Sequence, residues 1–370
     1  MTFSMFRIVG PATLGLVLTL PSLDGEQLPG STPRPGYDAQ LDAKWEALSR
    51  SVDERLNLPV PINNGSQHGD KAEDQSSTGQ RVSVLRQEAT RLREFSDANP
   101  GNPKTAKARQ REAVLLFEAA FMGDDLDKVR REQLAVELST SKSLPVTDRQ
   151  EVAAYSRNLK VHRSEESDPE KRLDAYESVA RSLARDFPDV AINYESLLQI
   201  AKSRRAAGGL QLAHDLIEMP APTEIKRQAE IHAARCELVG KPLVELCGDG
   251  IAAWPALSDA KGRAVIIYSW SASMPWTFDV VQRLVALAPK QTVIFGLNLD
   301  DDAEAAAKFA QKGSLPGVQA YSVVGAGGRL YEALLLSQPG LVYVADEHGM
   351  VVSISASDAY AQFADRRSNP

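Results

Sequence analysis

The spacing of apolar residues divides the chain into two parts with different local structure. Between residues 81 and 238 apolar side chains recur every three to four positions, which is the period of amphipathic helices. Segments rich in Pro, Gly, Ser and Asp interrupt this pattern at residues 99–103, 143–148, 167–170, 187–189, 206–209 and 219–224. Asp168 followed by Pro169 is a typical helix start. The pattern predicts an all-α domain of about six or seven helices, either an irregular bundle or a repeat-like array that binds peptides.

Past residue 238 short apolar runs alternate with helix-like segments, which is typical of an α/β domain. Strands are predicted at residues 243–247, 264–269, 292–299, 320–324, 341–345 and 350–354. Helices are predicted at about residues 275–288, 303–312 and 329–336. The last two strands are expected to form a hairpin closed by the turn Asp346 to Gly349. The sequence therefore predicts a central mixed sheet flanked by helices over residues 239–370.

The first 27 residues have the pattern of a secretory signal. Arg7 precedes an apolar run from Ile8 to Leu20, which is too short to span a bilayer core of about 30 Å comfortably. This pattern predicts export to the bacterial periplasm or cell envelope, with membrane contact only through this segment if it is not cleaved. Residues 28–80 are mostly polar and rich in Pro and Gly. They are expected to form a largely flexible linker with a short helix-like stretch around residues 38 to 56.

Charge and composition narrow the classes of partner. The net charge is −7 and aromatic residues make up 6% of the chain. Without a basic excess or an aromatic-rich surface, nucleic acid is not an expected partner.

The chain has two cysteines, Cys236 and Cys247, and their separation fits no redox or zinc motif. Three interpretations stay open, namely one disulfide, two unpaired thiols with small-hydrophobe roles, or a displaced redox couple.

No metal ion or cofactor is expected from the remaining motifs. The acidic run Asp300 to Asp302 is explained by a strand-to-helix turn with acidic N-caps more simply than by a cation site. Gly325 to Gly328 lacks the spacing of a dinucleotide site and is interpreted as a turn. The five histidines are scattered without paired ligand spacing.

The segment Tyr268 to Leu284 has the layout of a thiol redox site from which both sulfurs are missing. A buried strand leads to Trp270, a short turn follows, and Pro275 opens an amphipathic helix. A cysteine at such a helix start would be activated by the unpaired amides and the helix dipole. The two positions with the spacing of a thiol pair are occupied by Met274 and Thr277, neither of which supplies a thiolate.

Four further segments, in this order, carry a family resemblance: Gly240-Lys241-Pro242, residues 257–273, residues 294–302 and residues 337–352. On these motifs the last 130 residues or so resemble the exported thioredoxin-like thiol-disulfide reductases of the TlpA and redoxin type. The resemblance implies a thioredoxin-like fold and a Cys-x-x-Cys motif, which reads Met274-Pro275-Trp276-Thr277 here. It also implies that Pro339 occupies the place of the family's cis-proline and that Gln338 meets an extended substrate backbone.

A scaffold without its nucleophile predicts binding or scaffolding rather than catalysis. Disulfide exchange is not expected at the usual site, and a protein or peptide is the expected partner. The candidate binding residues are Trp270, Met274, Trp276, Gln338 and Pro339. One alternative is a thiol-disulfide oxidoreductase that uses Cys236 and Cys247 or the thiols of a partner. Another places the function in the helical domain, as an interaction module.

Overall fold

A computed structural model describes most of the chain after residue 38. The described residues are 39–56, 71–247, 260, 262–274, 276–313, 315–321, 332, 334–336, 338–356, 358–360 and 363. The signal-like segment and Gly325 to Gly328 lie outside them. The chain divides into two compact units, with the division between Asn193 and Tyr194.

The first unit is built from helices. Its described helices are α1 (Ala39–Leu56), α2 (Lys71–Ala98), α3 (Thr105–Phe121), α4 (Lys128–Thr140), α5 (Val146–His162) and α6 (Pro169–Asp186). Helix α6 begins as expected, because the Asp168 side chain accepts a hydrogen bond of 2.9 Å from the backbone N–H of Glu170 and Pro169 fills the first turn. The core joins α1 to α5 through buried leucines, alanines and aromatic rings.

Part of the predicted linker belongs to this unit. Trp45 and Val52 of α1 are buried in the helical core, and the Trp45 ring lies 5.4 Å from the Phe95 ring of α2. Helix α2 also begins at Lys71 rather than near residue 81. Residues 39–56 and 71–80 are therefore helical, whereas residues 57–70 lie outside the described part of the chain. The composition of residues 28–80 as a whole is polar and did not indicate a buried segment. Packing of the Trp45 ring against Phe95 buries apolar surface there.

The second unit begins within α7 and combines helices with an α/β region. Helices α7 (Ile192–Ser203), α8 (Ala206–Glu218), α9 (Thr223–Cys236) and α10 (Leu243–Cys247) precede the sheet. The strands are β1 (Val265–Trp270), β2 (Val293–Asn298), β3 (Val318–Ala320), β4 (Val342–Ala345) and β5 (Val351–Ser353). Helix α11 (Trp276–Leu287) connects β1 to β2, and α12 (Ala303–Gly313) connects β2 to β3.

The described strands form a five-stranded mixed sheet in the order β3-β2-β1-β4-β5. β1 is central and pairs in parallel with β2, which pairs in parallel with β3. β4 runs antiparallel to β1 and forms the predicted hairpin with β5. The Asp346 side chain accepts hydrogen bonds from His348 and Met350 in the turn, where Gly349 has a φ of +78°. The expected mixed sheet with a closing hairpin is therefore present.

The two faces of the sheet pack against different helices. Val265 and Ile267 face a core that includes Cys236 at the end of α9. Ile266 and Tyr268 face the opposite core, which includes residues of α11 and α12. Every residue of β1 is buried, as expected for a central strand that is covered on both sides.

Two sequence predictions differ from the structure near the start of the α/β region. The predicted strand at residues 243–247 is the short helix α10, because the strand-like pairing occurs just before it. Gly240 donates to the Val351 carbonyl at 2.8 Å, and Val351 donates to the Lys241 carbonyl at 3.0 Å. Pro242 then starts the helical turn, since its carbonyl accepts the first bonds of that turn.

The division of the chain also lies well before the predicted boundary near residue 238. Helix α9 belongs to the second unit, because its buried Arg235 donates to the Tyr343 hydroxyl of β4 at 2.8 Å and to the Ile354 carbonyl at 3.0 Å. The predicted break at residues 206–209 lies inside α8. Gly209 is needed there for close packing, since an added Cβ would lie 2.7 Å from the Ala201 carbonyl oxygen.

Within the described part of the chain, no helix combines the length and the apolar character needed to cross a lipid bilayer.

Candidate functional site

The candidate site is the turn between β1 and α11, at the carboxyl end of the central strand. β1 ends at Trp270, and α11 begins at Trp276. Met274 lies between them, half-buried, and its backbone N–H donates to the Ser271 carbonyl at 3.0 Å. Position 274 thus lies two residues before α11. Pro275 and the side chains of Trp276 and Thr277 lie outside the described residues.

A carboxylate on the neighbouring strand end holds this turn in place. Asp300 follows β2 and accepts hydrogen bonds from the Ser271 hydroxyl, from the backbone N–H of Ala272 at 2.8 Å and from the Asn298 amide at 2.8 Å. The carboxyl ends of parallel neighbours lie at the same edge of a sheet, so residues that follow β1 and β2 meet here. The turn is therefore fixed by hydrogen bonds to a carboxylate, without a disulfide.

The electrostatics of Asp300 agree with this structural role. Partial burial is the largest single effect and raises the pKa of the carboxyl group. The hydrogen bonds from Ala272, Ser271 and Asn298 together outweigh burial and lower the pKa below its usual value. Asp300 consequently stays ionised near neutral pH and is a weak base. This constellation was missed by sequence reasoning, although polar residues directly after two neighbouring parallel strands could have indicated it.

Trp270 is not part of an accessible surface. The side chain is fully buried and packs against three aromatic rings. The distances between ring centroids are 5.8 Å to Phe278, 6.3 Å to Phe309 and 6.2 Å to Tyr321. Offset and edge-to-face contacts of this kind stabilise an aromatic core. The interpretation of Trp270 as a binding residue is therefore replaced by a core role beneath the turn.

Gln338 and Pro339 lie beside the same end of β1. The Ser269 hydroxyl donates to the Gln338 carbonyl at 2.7 Å, and the Gly340 N–H donates to the Ser269 carbonyl at 2.8 Å. The Gln338 side chain is exposed and Pro339 is half-buried. No peptide bond among the described residues is cis, so the Gln338–Pro339 bond is trans, in contrast to the cis bond that the family resemblance implies.

Cys236 lies on the other face of the sheet from α11. It is a free thiol with 5% of its surface exposed, in the core that contains Val265 and Ile267. Burial is the main effect that raises the pKa of the Cys236 thiol to about 11, and Arg235 opposes it. The side chain of Cys247 lies outside the described residues, but Cys236 is free, so the interpretation of the two cysteines as one disulfide is not supported.

The neighbouring His232 does not activate this thiol. Its Nε2 atom lies 3.6 Å from the Cys236 sulfur and 3.1 Å from the Ala201 carbonyl oxygen. Burial, with a smaller effect from Arg235, lowers the pKa of His232 to about 4, so the imidazole is neutral at pH 7. A neutral imidazole beside a buried thiol lacks the positive charge that stabilises a thiolate.

The acidic run after β2 serves local structure. Asp302 caps α12, because its side chain accepts a hydrogen bond of 2.9 Å from the Ala305 N–H, and Asp300 holds the turn after β1. Among the described residues no three His, Cys, Asp or Glu side chains are grouped so that they could hold a metal ion.

Comparison with known proteins adds one distant likeness. No protein-family model matches the chain, and no curated protein matches it. The chain is similar to the solution structure of a thiol:disulfide interchange protein from Bacteroides sp., with 17% sequence identity. The likeness covers 30% of this chain and 76% of that chain, with a TM-score of 0.24. A TM-score this low carries no argument about fold or function. Both are inferred here from the sheet order and from the geometry of the turn.

Proposed function

We propose that the α/β region is a thioredoxin-like domain of an exported protein, and that its site binds a protein or peptide without exchanging disulfides. The layout of the sheet supports the fold. A central strand leads through a short turn into a helix, pairs in parallel with the next strand and is flanked on its other side by an antiparallel hairpin. Helices cover both faces of this sheet.

The observation that carries the proposal is the chemistry of the helix-opening turn. Met274 lies two residues before α11, where the family resemblance would put a thiol nucleophile, and a thioether does not ionise. The Asp300 carboxylate holds the turn through Ser271 and Ala272. The site therefore keeps its shape without sulfur chemistry.

The buried thiol weighs against the enzymatic alternative. A nucleophilic cysteine needs an accessible thiolate, usually favoured by a positive charge or a helix N-terminus. Cys236 is at the last residue of α9, is buried and has a raised pKa. It also lies on the sheet face opposite to α11. A couple built on Cys236 would require local unfolding of this core.

The surface beside the end of β1 suits a bound polypeptide. Met274 and Pro339 are half-buried apolar residues, and Gln338 adds an exposed amide that can donate and accept hydrogen bonds. A few polar groups among apolar ones are typical of sites that bind without chemistry. The export that the N-terminal pattern predicts places this binding in the periplasm or cell envelope.

A second candidate function is an interaction module in the helical unit. Val129 and Val136 lie seven residues apart on α4 and are 69% and 75% exposed, and Leu126 just before the helix is 75% exposed. Seven residues are about two helical turns, so the two valines share one face. Loss of partner binding in a Val129→Ser, Val136→Ser variant of the full chain, with binding unchanged in Met274→Glu, would favour this candidate over the first.

Disulfide chemistry is tested on the full chain with an insulin-reduction assay. The wild-type protein is expected to give no turnover above the dithiothreitol background. A Met274→Cys, Thr277→Cys variant is expected to form an intramolecular disulfide and to gain turnover, because the helix start would activate the first thiol. Wild-type turnover that disappears in Cys236→Ala would refute the proposal. A natively folded double-cysteine variant that forms no disulfide would contradict the placement of the site.

Binding is tested with a fluorescently labelled, carboxymethylated unfolded polypeptide, which carries no reactive thiol. Met274→Glu is expected to weaken its affinity at least about 10-fold, since it places a charge in an apolar contact. Val318→Glu is the matched control, because Val318 is an exposed apolar residue on the edge strand β3. Equal affinity of both variants and the wild type would show that the polypeptide does not bind at this turn.

A further inference from the structure

Three glutamates are buried among the described residues of the helical unit, and two of them are paired with arginines. Glu88 and Glu112 are fully buried, and each carboxylate accepts hydrogen bonds from two guanidinium groups. The partners are Arg55 at 2.8 Å and Arg91 at 2.6 Å for Glu88, and Arg93 at 2.8 Å and Arg130 at 2.9 Å for Glu112. Such pairs offset the cost of burying a charge. The ion pairs account for these two side chains.

Glu118 on α3 is buried without such compensation. Its described hydrogen bond comes from the hydroxyl of Tyr155 on α5 at 3.3 Å, and no cationic nitrogen of the described residues lies within 4 Å of it. Arg81 on α2 is the cation that faces it, but its guanidinium donates to the Leu56 carbonyl at 2.9 Å. Burial raises the pKa of Glu118 to about 7, with Arg81 and Tyr155 opposing and Glu151 adding to the shift.

Glu151 on α5 is half-buried and lies one helical turn before Tyr155. Its described hydrogen bond comes from the amide nitrogen of Gln110 on α3, and the oxygen of that amide is buried without a partner among the described residues. Burial raises the pKa of Glu151 to about 7. Lys107 and Arg111 oppose this shift, and the Gln110 hydrogen bond opposes it least.

The cations that face Glu151 are paired with other carboxylates. Lys107 lies 2.9 Å from the Asp148 carboxylate, and Arg111 pairs with Asp53. Asp148 adds a further negative charge that raises the pKa of Glu151. Ionisation of Glu151 would therefore put an unpaired charge between α3 and α5.

These contacts lie along one seam between two helices. Lys107, Gln110 and Glu118 follow one another on α3, and their partners on α5 are Asp148, Glu151 and Tyr155 in the same order. Both carboxyl groups therefore sit at the interface that holds α3 to α5. The Tyr155 ring also packs on Phe117 and Phe121, at 6.1 Å in each case, so movement of α5 would disturb an aromatic cluster.

We propose that Glu118 and Glu151 form a proton-dependent contact between α3 and α5, which packs the two helices tightly when both carboxyl groups are protonated and loosens when they ionise. A protonated carboxyl group is neutral and can itself donate a hydrogen bond across the seam. Ionisation removes that donor and buries charge. The helical unit would thus change its packing with pH around neutrality.

The direction of the pH effect follows from the raised pKa values. A carboxyl group that holds its proton more tightly in the folded state contributes stability that is fully present below its unfolded pKa of about 4.3. That contribution is lost as pH rises through the folded value of about 7. The packing of α3 on α5 should therefore weaken between about pH 5 and pH 8.

The test compares the full-length wild type with a Glu118→Gln, Glu151→Gln variant, which mimics the protonated state. The wild-type urea midpoint of α3 and α5 peptides, measured by hydrogen exchange, should fall by about 1 M or more from pH 5 to pH 8. In the variant, the urea midpoint should not change between pH 5 and pH 8. Glu112→Gln should lower the urea midpoint at both pH values, because it breaks an ion pair. The fall of the midpoint from pH 5 to pH 8 should be the same as in the wild type.

His162 also lies in this unit, with its ring 5.1 Å from the Phe121 ring, and it is controlled separately. His162→Gln should show the same fall of the urea midpoint from pH 5 to pH 8 as the wild type. An infrared titration of the wild type provides a measurement that does not depend on the variants folding: a band from protonated carboxyl groups should disappear between pH 5 and pH 8. The proposal would be overturned if the wild-type urea midpoint did not fall between pH 5 and pH 8, or if the double variant showed the same fall as the wild type. It would also be overturned if His162→Gln removed the fall, or if the infrared spectrum showed no such band.

Discussion

Arg235 offers the sharpest test of how the second unit is assembled, because it joins a helix to two distant parts of the sheet region. The guanidinium is buried, with 5% exposed, and it donates to the Tyr343 hydroxyl at 2.8 Å and to the Ile354 carbonyl at 3.0 Å. It also lies 5.4 Å from the centre of the Tyr343 ring. We expect Arg235→Ala to destabilise the second unit strongly.

The expected loss can be worked out from these contacts. Hydrogen bonds from a charged group contribute about 1.5 to 3 kcal/mol each, and the cation–π contact adds about 1 kcal/mol. Removing the charge also relieves its desolvation, which offsets part of the sum. A net loss of about 3 kcal/mol is reasonable against a typical domain stability of about 5 to 15 kcal/mol. With a urea m-value near 2 kcal/mol/M, the midpoint should fall by about 1.5 M.

Urea unfolding followed by hydrogen exchange and mass spectrometry resolves the two units. Peptides of β1 and α9 should shift together in Arg235→Ala, while peptides of α3 should not shift. Arg235→Lys should recover less than half of the loss, since an ammonium lacks the planar fork that reaches both acceptors. Arg227→Ala is the matched control on α9, because Arg227 is exposed and pairs with Glu224 on the same helix.

The reasoning would be refuted if Arg235→Ala and Arg227→Ala had the same midpoint for β1 peptides. It would also be refuted if residues 239–370 alone unfolded with the stability of the second unit, since α9 would then contribute nothing to it.

Two further predictions concern the site and the buried thiol. Asp300 has a depressed pKa, so its stabilising contribution is present above the unfolded pKa of about 3.9 and is lost as pH falls through the folded value. Asp300→Asn should therefore lower the urea midpoint of the second unit at pH 7, and the difference from wild type should shrink at pH 3; a constant difference would contradict the role of the ionised carboxylate. In a Cys247→Ala variant, native Cys236 should react with Ellman's reagent at pH 8 at least about 100-fold more slowly than in guanidinium, because burial raises the pKa of the thiol and blocks access. Fast labelling of the native protein would contradict this and would revive the enzymatic alternative.

The parts of the fold that the sequence predicts well are those set by local pattern. The buried apolar run of β1, the amphipathic α11 and the hairpin turn at Asp346 were all recognisable, because strand and helix periods depend on neighbouring residues. The absence of a thiol at Met274 and Thr277 is equally a matter of residue identity. Local pattern failed at residues 243–247, where pairing of the preceding backbone with β5 left the apolar run free to form a helical turn.

Local sequence pattern does not predict properties that depend on contacts between residues far apart in the chain. Arg235 of α9 reaches Tyr343 of the sheet, more than a hundred residues later, within the second unit, and no periodicity reports such a contact. The same holds for Trp270, which is a candidate binding residue by sequence, whereas its side chain is buried against the rings of Phe309 and Tyr321. Burial follows from the summed packing of distant side chains, and it sets which groups are accessible, ionised or reactive. Residue identity thus excludes thiol chemistry at the turn, while three-dimensional packing places Cys236, Glu118 and Glu151 in the environments that control their protons.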